Sequence, residues 1–199
     1  CSLKAHLRPT LDEVRGRGLR VVSFHPMFGP DVRMLSGRTI VFCTDGRPDD
    51  VASIRGLFAD TSAALVELDP DEHDRRMAVV LGLTHLANLA FAVAVARSGV
   101  AADALDEVAG VTFRKQLTTT REVTTENPEL YFQIQQLNPS TLESGSWLAE
   151  SVDELLAAIA AGDEAGFGRL MRGAGERLHP PGPESAADPV DQTRRGADQ

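Results

Sequence analysis

Apolar residues follow two different rhythms along this chain. In the first third they form short, β-rich runs: Leu19, Val21, Val22 and Phe24 within residues 19–24, and Ile40, Val41, Phe42 and Cys43 within residues 38–43. Both runs suit strands of a sheet covered on two faces. Asp49 or Asp50 can cap a helix through Ile54, Leu57 and Phe58, and residues 64–68 return as a strand. Strand, crossover helix and strand in that order predict an α/β layer. Residues 2–14 read as a preceding helix, ended by the Gly16-Arg17-Gly18 turn.

After Asp69-Pro70 the rhythm becomes helical and stays so. Residues 73–98 predict one helix of ~39 Å at 1.5 Å per residue. Gly99, Asn127-Pro128, Asn138-Pro139 and Gly162 mark helix boundaries. Val152, Leu155, Leu156 and Ile159 recur at helical spacing within 150–161, as do Phe167, Leu170 and Met171 within 164–178. Residues 179–199, with Pro180, Pro181, Pro183 and Pro189 among small and charged residues, read as a disordered tail. The fold class expected is α/β plus all-α, with residues 1–72 forming the α/β piece, 73–178 the helical piece and 179–199 the tail.

Composition narrows the partners. With 199 residues, 42% of them hydrophobic, the chain can bury a sizeable core. A net charge of -9 argues against nucleic acid, which needs a basic face, but a few local arginines could still hold an anionic substrate. Cys1 and Cys43 are too few for a disulfide framework and are not spaced as metal ligands, so a reducing, cytoplasmic setting and no metal are expected. Leu3-Lys4-Ala5-His6-Leu7-Arg8 is too polar for a signal-peptide core. Residues 77–96 approach the length of a bilayer span, but Thr84, His85 and Asn88 would lie near its middle, so a buried central helix is the expectation, without a membrane.

The densest chemistry lies in Ser23-Phe24-His25-Pro26-Met27-Phe28-Gly29-Pro30-Asp31. A histidine at the exit of an apolar strand, followed by a turn stiffened by two prolines and a glycine, is a proton acceptor held by backbone, with a pKa expected near neutrality. The segment resembles the HPMFGP motif of the prephenate dehydrogenase family, which includes arogenate and 4-amino-4-deoxyprephenate dehydrogenases. Four further segments resemble that family in order: Ser2-Leu3-Lys4 its S-x-K, Glu72-His73-Asp74 its E-H-D, His85 a pocket histidine on its long helix, and Asn127-Pro128-Glu129-Leu130-Tyr131 its D-P-x-L-Y.

The resemblance implies the C-terminal part of a Rossmann-type nucleotide-binding domain followed by a helical dimerisation domain. The implied reaction is NAD- or NADP-dependent oxidative decarboxylation of prephenate or a close analogue, a small anionic cyclohexadiene, in aromatic amino-acid (tyrosine) or derived natural-product biosynthesis. By that resemblance His25 accepts the ring-hydroxyl proton, Ser2 orients it, and His85 touches the substrate. Ser2, Lys4, Pro26 and Met27 would face the cofactor, and the helical domain would form a homodimer. The competing reading is a non-catalytic dimeric helical module that keeps the family's shape.

Two departures matter. The family's carboxylate-binding arginine stands six residues before the proline of D-P, whereas Arg121 stands seven before Pro128 and Glu122 takes the expected place. One residue turns a helix by ~100°. Arg114, in Phe113-Arg114-Lys115, resembles a second family arginine. The other departure is the lack of a glycine-rich phosphate loop: Gly16-Arg17-Gly18 has Val21 where a third glycine would stand, and no strand precedes it. The family's nucleotide-binding βαβ unit is therefore expected ahead of Cys1.

Overall fold

The computed structural model describes residues 2–44 and 48–179; Cys1 and nearly all of the expected tail lie outside the described residues. Two compact units are present, Cys1–Ala149 and Glu150–Gln199. The change from strands to helices comes much earlier in the chain than this division.

The first unit begins with an irregular segment and a single 3-10 turn, Ala5–Leu7, before helix α1, Arg8–Gly16. The sequence places a helix from residue 2, but Pro9 sets its start: proline is favoured in the first turn, where its missing N–H costs nothing. Residues 2–4 stay outside the helix, with Leu3 and Lys4 buried. That sheet has three strands in the order β1 (Ser23–Pro26), β2 (Thr39–Cys43) and β3 (Ala64–Leu68). β3 matches its expected bounds. β1 starts four residues later than expected, so His25 sits inside the strand opposite Val41 rather than at its exit. Leu19, from the expected run, is 59% exposed.

β1 pairs antiparallel with β2, and β3 pairs parallel with it. This is a mixed sheet with an antiparallel edge, a position that tolerates Pro26 in a strand. Helix α2 (Pro48–Arg55) and a 3-10 turn (Gly56–Phe58) make the crossover to β3. Ile40, Phe42 and Val51 form the core, joined by Phe24 and Phe58. The rings of Phe24, Phe42 and Phe58 lie 5.7–6.0 Å apart, within the range of favourable aromatic pairs.

Next comes a continuous 28-residue helix, Pro70–Arg97. Asp69 caps it by accepting from the Asp71 and Glu72 N–H groups at 3.0 and 2.9 Å. It comprises α3 (Pro70–Met77), a π-helical stretch (Ala78–Leu83) and α4 (Thr84–Arg97). In an uninterrupted α-helix, the twelve residues between His73 and His85 would leave them about 120° apart around the axis; wider turns reduce that angle. Neighbouring helices support the π stretch: Gln135 Nε2 donates to the Gly82 carbonyl at 3.0 Å, and Ser144 Oγ lies 3.3 Å from that of Ala78.

Helices α5 (Ala102–Glu107), α6 (Val111–Thr125), α7 (Pro128–Leu137) and the first part of α8 (Thr141–Ala161) complete this unit. Gly99 lets the chain turn after α4 at φ 70°, and Asn127 caps α7. Between α4 and α6, buried Asn88 accepts from Thr120 Oγ1 at 2.9 Å and Gln116 Nε2 at 3.0 Å. The long helix departs from the sequence expectation in one respect: only 17% of its most apolar window is buried. Val79, Val80 and Val93 remain 44–51% exposed.

The second unit contains the remainder of α8 and α9 (Glu164–Leu178), which keeps its expected bounds. Gly162 turns between them at φ 65°, and Asp163 caps α9 through the Gly166 N–H at 2.8 Å.

Candidate active site

His25 is directed from β1 onto α3, and its surroundings assemble from segments far apart in the chain. His25 Nδ1 lies 3.0 Å from His73 Nε2, and His73 Nδ1 lies 2.8 Å from Asp74 Oδ1. The Asp74 carboxylate also accepts from the backbone N–H of Lys4 at 2.9 and 3.0 Å and of Ala5 at 2.7 Å. Its carbonyl accepts from Asn138 Nδ2 at 2.8 Å. The irregular N-terminal segment and the start of the α7–α8 connection therefore meet the long helix at Asp74, and the edge strand joins them through His73. His73 is 0% exposed, Asp74 1% and His25 7%.

The sequence expects His25 to titrate near neutrality; the structure corrects this. Burial lowers its pKa from 6.5 to about 4, and His73 and the Lys4 ammonium push it the same way. Burial raises the Asp74 carboxyl, but the hydrogen bonds from His73, Ala5 and Lys4 hold it below its ordinary value overall. These shifts give the acid unfolding a direction. The unfolded chain binds the His25 proton first, so stability present above pH 6.5 is lost as pH falls towards 4. A second loss follows from Asp74 as pH falls below the ordinary carboxylate value of 3.8. Urea unfolding at pH 7 and 4.5 should differ by at least about 1 kcal/mol. An unchanged midpoint would show that His25 is not held neutral.

Lys4 lies in the same buried network. The resemblance places it at the cofactor, but it is 1% exposed, and its amine donates to the Phe24 carbonyl at 2.9 Å. Burial lowers its pKa against the opposing pull of Cys43 and Asp74. It ties the N-terminal segment to β1. Ser2, Pro26 and Met27 are half-buried. Ser2 lines a shallow pocket of about 180 Å³ with Leu3, His6, Leu130 and Ile134.

The other expected residues gather elsewhere on the helical elements. His85 stacks on Tyr131 at 4.3 Å, and burial lowers its pKa. Its Nδ1 is buried with no hydrogen-bond partner among the described residues. Arg114 donates to the Ala109 and Asp106 carbonyls at 3.1 and 3.0 Å, closing the end of α5. Arg121 forms an exposed 3.5 Å pair with Asp106, because Thr120 occupies the inward position of α6. The hydrogen-bonded group at His25 thus includes neither arginine nor His85. It includes His73 and Asp74, whose segment the resemblance marked without giving either a role.

Comparison with known proteins follows the same outline. The family model described as the prephenate dehydrogenase dimerization domain matches residues 69–173, more than half of the chain. A 4-amino-4-deoxyprephenate dehydrogenase from Streptomyces pristinaespiralis is 32% identical over 172 residues, covering 85% of this chain and 57% of the relative. A probable arogenate/prephenate dehydrogenase from Methanocaldococcus jannaschii is 23% identical over 180 residues, covering 89% of this chain and 40% of its own length. The chain thus spans about half the length of these curated relatives. The crystal structure of Aquifex aeolicus prephenate dehydrogenase in complex with hydroxyphenyl propionate and NAD+ superposes with a TM-score of 0.70 at 17% identity, covering 89% of this chain and 64% of that one. It shows the shared fold, the end of a Rossmann-type layer followed by a helical domain. With the family model matched over more than half its length, the chain belongs to the prephenate dehydrogenase family.

Proposed function

We propose that this chain is the C-terminal part of an NAD- or NADP-dependent dehydrogenase that oxidatively decarboxylates prephenate, arogenate or 4-amino-4-deoxyprephenate. In this reading residues 1–72 close the nucleotide-binding domain and residues 73–178 form the substrate and dimerisation domain. The observation that carries it is a buried, uncharged His25 hydrogen-bonded to His73 on the long helix of the matched family domain.

The reaction removes a hydride from the ring carbon bearing the hydroxyl or amine, takes a proton from that group, and releases carbon dioxide as the ring becomes aromatic. When bound, the nicotinamide accepts the hydride. His25 accepts the proton and returns it after aromatisation. A base with a pKa of about 4 is unprotonated at neutral pH and therefore ready to accept. Half-buried Ser2, Pro26 and Met27 fit a wall against the nicotinamide, whereas Lys4 is bonded to the Phe24 carbonyl. The unpartnered Nδ1 of His85 is suited to a polar group of the substrate. Arg121 is the proposed carboxylate partner, since an exposed pair such as Arg121–Asp106 is worth only ~0–1 kcal/mol and is readily exchanged. Arg114 is assigned to holding α5 rather than substrate.

The test is coenzyme reduction by the chain expressed with its nucleotide-binding half. The three ring substrates are each assayed with NAD and NADP. At least one combination should turn over; no reduction with any would contradict the proposal.

Homodimerisation belongs to the same reading. The long helix is mostly apolar from Met77 to Ala96 yet exposed along Val79, Val80 and Val93, and the matched family domain is described as a dimerization domain. Sedimentation without detergent should show a dimer, and Val80→Asp should make it dissociate at concentrations at least tenfold higher. A dimer indifferent to Val80→Asp would move the interface elsewhere; a requirement for detergent would favour a membrane role. Two cysteines and a charge of -9 support a cytoplasmic protein that does not bind nucleic acid.

A further inference from the structure

In the Asp74–His73–His25 chain each hydrogen bond dictates the next. Asp74 is ionised at neutral pH, and a carboxylate only accepts. Its Oδ1, 2.8 Å from His73 Nδ1, requires a neutral His73 to carry its proton on Nδ1. The lone pair left on His73 Nε2 faces His25 Nδ1 at 3.0 Å. Two lone pairs cannot face each other at that distance, so His25 Nδ1 must be the donor. The second nitrogen of His25, Nε2, is then bare.

We propose that His73 and Asp74 are positioning residues that hold His25 in its Nδ1–H tautomer and so present Nε2 as the proton acceptor. A histidine side chain in water favours the opposite tautomer, with the proton on Nε2, so the protein reverses an intrinsic preference. The end of the chain is firmly anchored: Lys4 and Ala5 N–H groups fix the Asp74 carboxylate, and Asn138 fixes its carbonyl. Among the described residues, the charged groups that act on His25 besides His73 are Lys4 from the N-terminal segment and Asp74 on α3. Of these, only Asp74 hydrogen-bonds to His73. The tautomer follows from hydrogen bonds alone, whereas the use of Nε2 as a base rests on the dehydrogenase reading.

Tautomers are read from 15N-histidine-labelled chain by long-range 1H–15N correlation at pH ~8.5, about two units above the ordinary imidazole value. His25 should show a protonated Nδ1 and a bare Nε2. Asp74→Asn keeps an oxygen for the Lys4 and Ala5 amides but offers an N–H to His73 Nδ1. The chain should then run backwards and move the His25 proton to Nε2. His73→Phe removes the acceptor and should also return His25 to the Nε2–H form. A parent spectrum with His25 already protonated on Nε2 would overturn the proposal, as would an Nδ1–H form that survives in either folded variant. If Asp74→Asn does not fold, the parent spectrum and His73→Phe decide. No turnover is read, so failure here leaves the dehydrogenase reading standing, and a failed turnover assay leaves the tautomer result standing.

Discussion

Asp74→Ala should destabilise the chain by about 3–5 kcal/mol, a large share of the ~5–15 kcal/mol that holds a typical domain folded. The cost comes from what the substitution leaves behind. The Lys4 and Ala5 N–H groups and the His73 Nδ1–H all lose their acceptor, two of them in fully buried residues. Each buried donor left unpaired costs ~1–3 kcal/mol. The Lys4 ammonium also loses the Asp74 charge that opposes its desolvation. Urea unfolding with a slope of ~1–3 kcal/mol/M should therefore show a midpoint lowered by about 2 M, or a chain that no longer folds cooperatively. Asp74→Asn retains one oxygen acceptor for the backbone amides and should cost much less. A loss below about 1 kcal/mol in Asp74→Ala would mean that water replaces the carboxylate and that this corner is not a closed network.

Local pattern carried much of the helical architecture. Gly99, Asn127-Pro128, Asn138-Pro139 and Gly162 stand at helix ends, because caps, prolines and positive-φ glycines act over a few residues. α9 kept its bounds for the same reason, while β3 was legible from its β-rich run, which pairs with β2. The misplaced start of β1 reflects pairing: Val22 and Phe24 pack on the core while Leu19 faces water, a choice made by β2 and not by composition. The π stretch at Ala78–Leu83 was equally hidden, since its support comes from Gln135 and Ser144 on other helices.

The candidate site divides in the same way. The rigid segment around His25 was visible, and the family motif drew attention to it. The contacts that determine its chemistry span 48 residues to His73 and 70 from Lys4 to Asp74, beyond any local periodicity. Their joint burial turns a histidine expected to be ordinary into one that stays neutral down to about pH 4. Arg121 shows the converse. Its spacing departs by one residue from the family's, and Thr120 takes the inward position, bonded to Asn88, while the arginine pairs with Asp106 at the surface.

Replacing His25 with asparagine should give the largest functional effect. Asparagine can keep a hydrogen bond to His73 but cannot accept a proton at neutral pH, so the substrate should still bind while proton removal loses its base. The decisive measurement is kcat and KM for ring-substrate-dependent coenzyme reduction by His25→Asn in the chain joined to its nucleotide-binding half. kcat should fall ~10²–10⁴-fold with KM changed only a few-fold. Turnover within about threefold of the parent would contradict it, because His25 could then not be the proton acceptor.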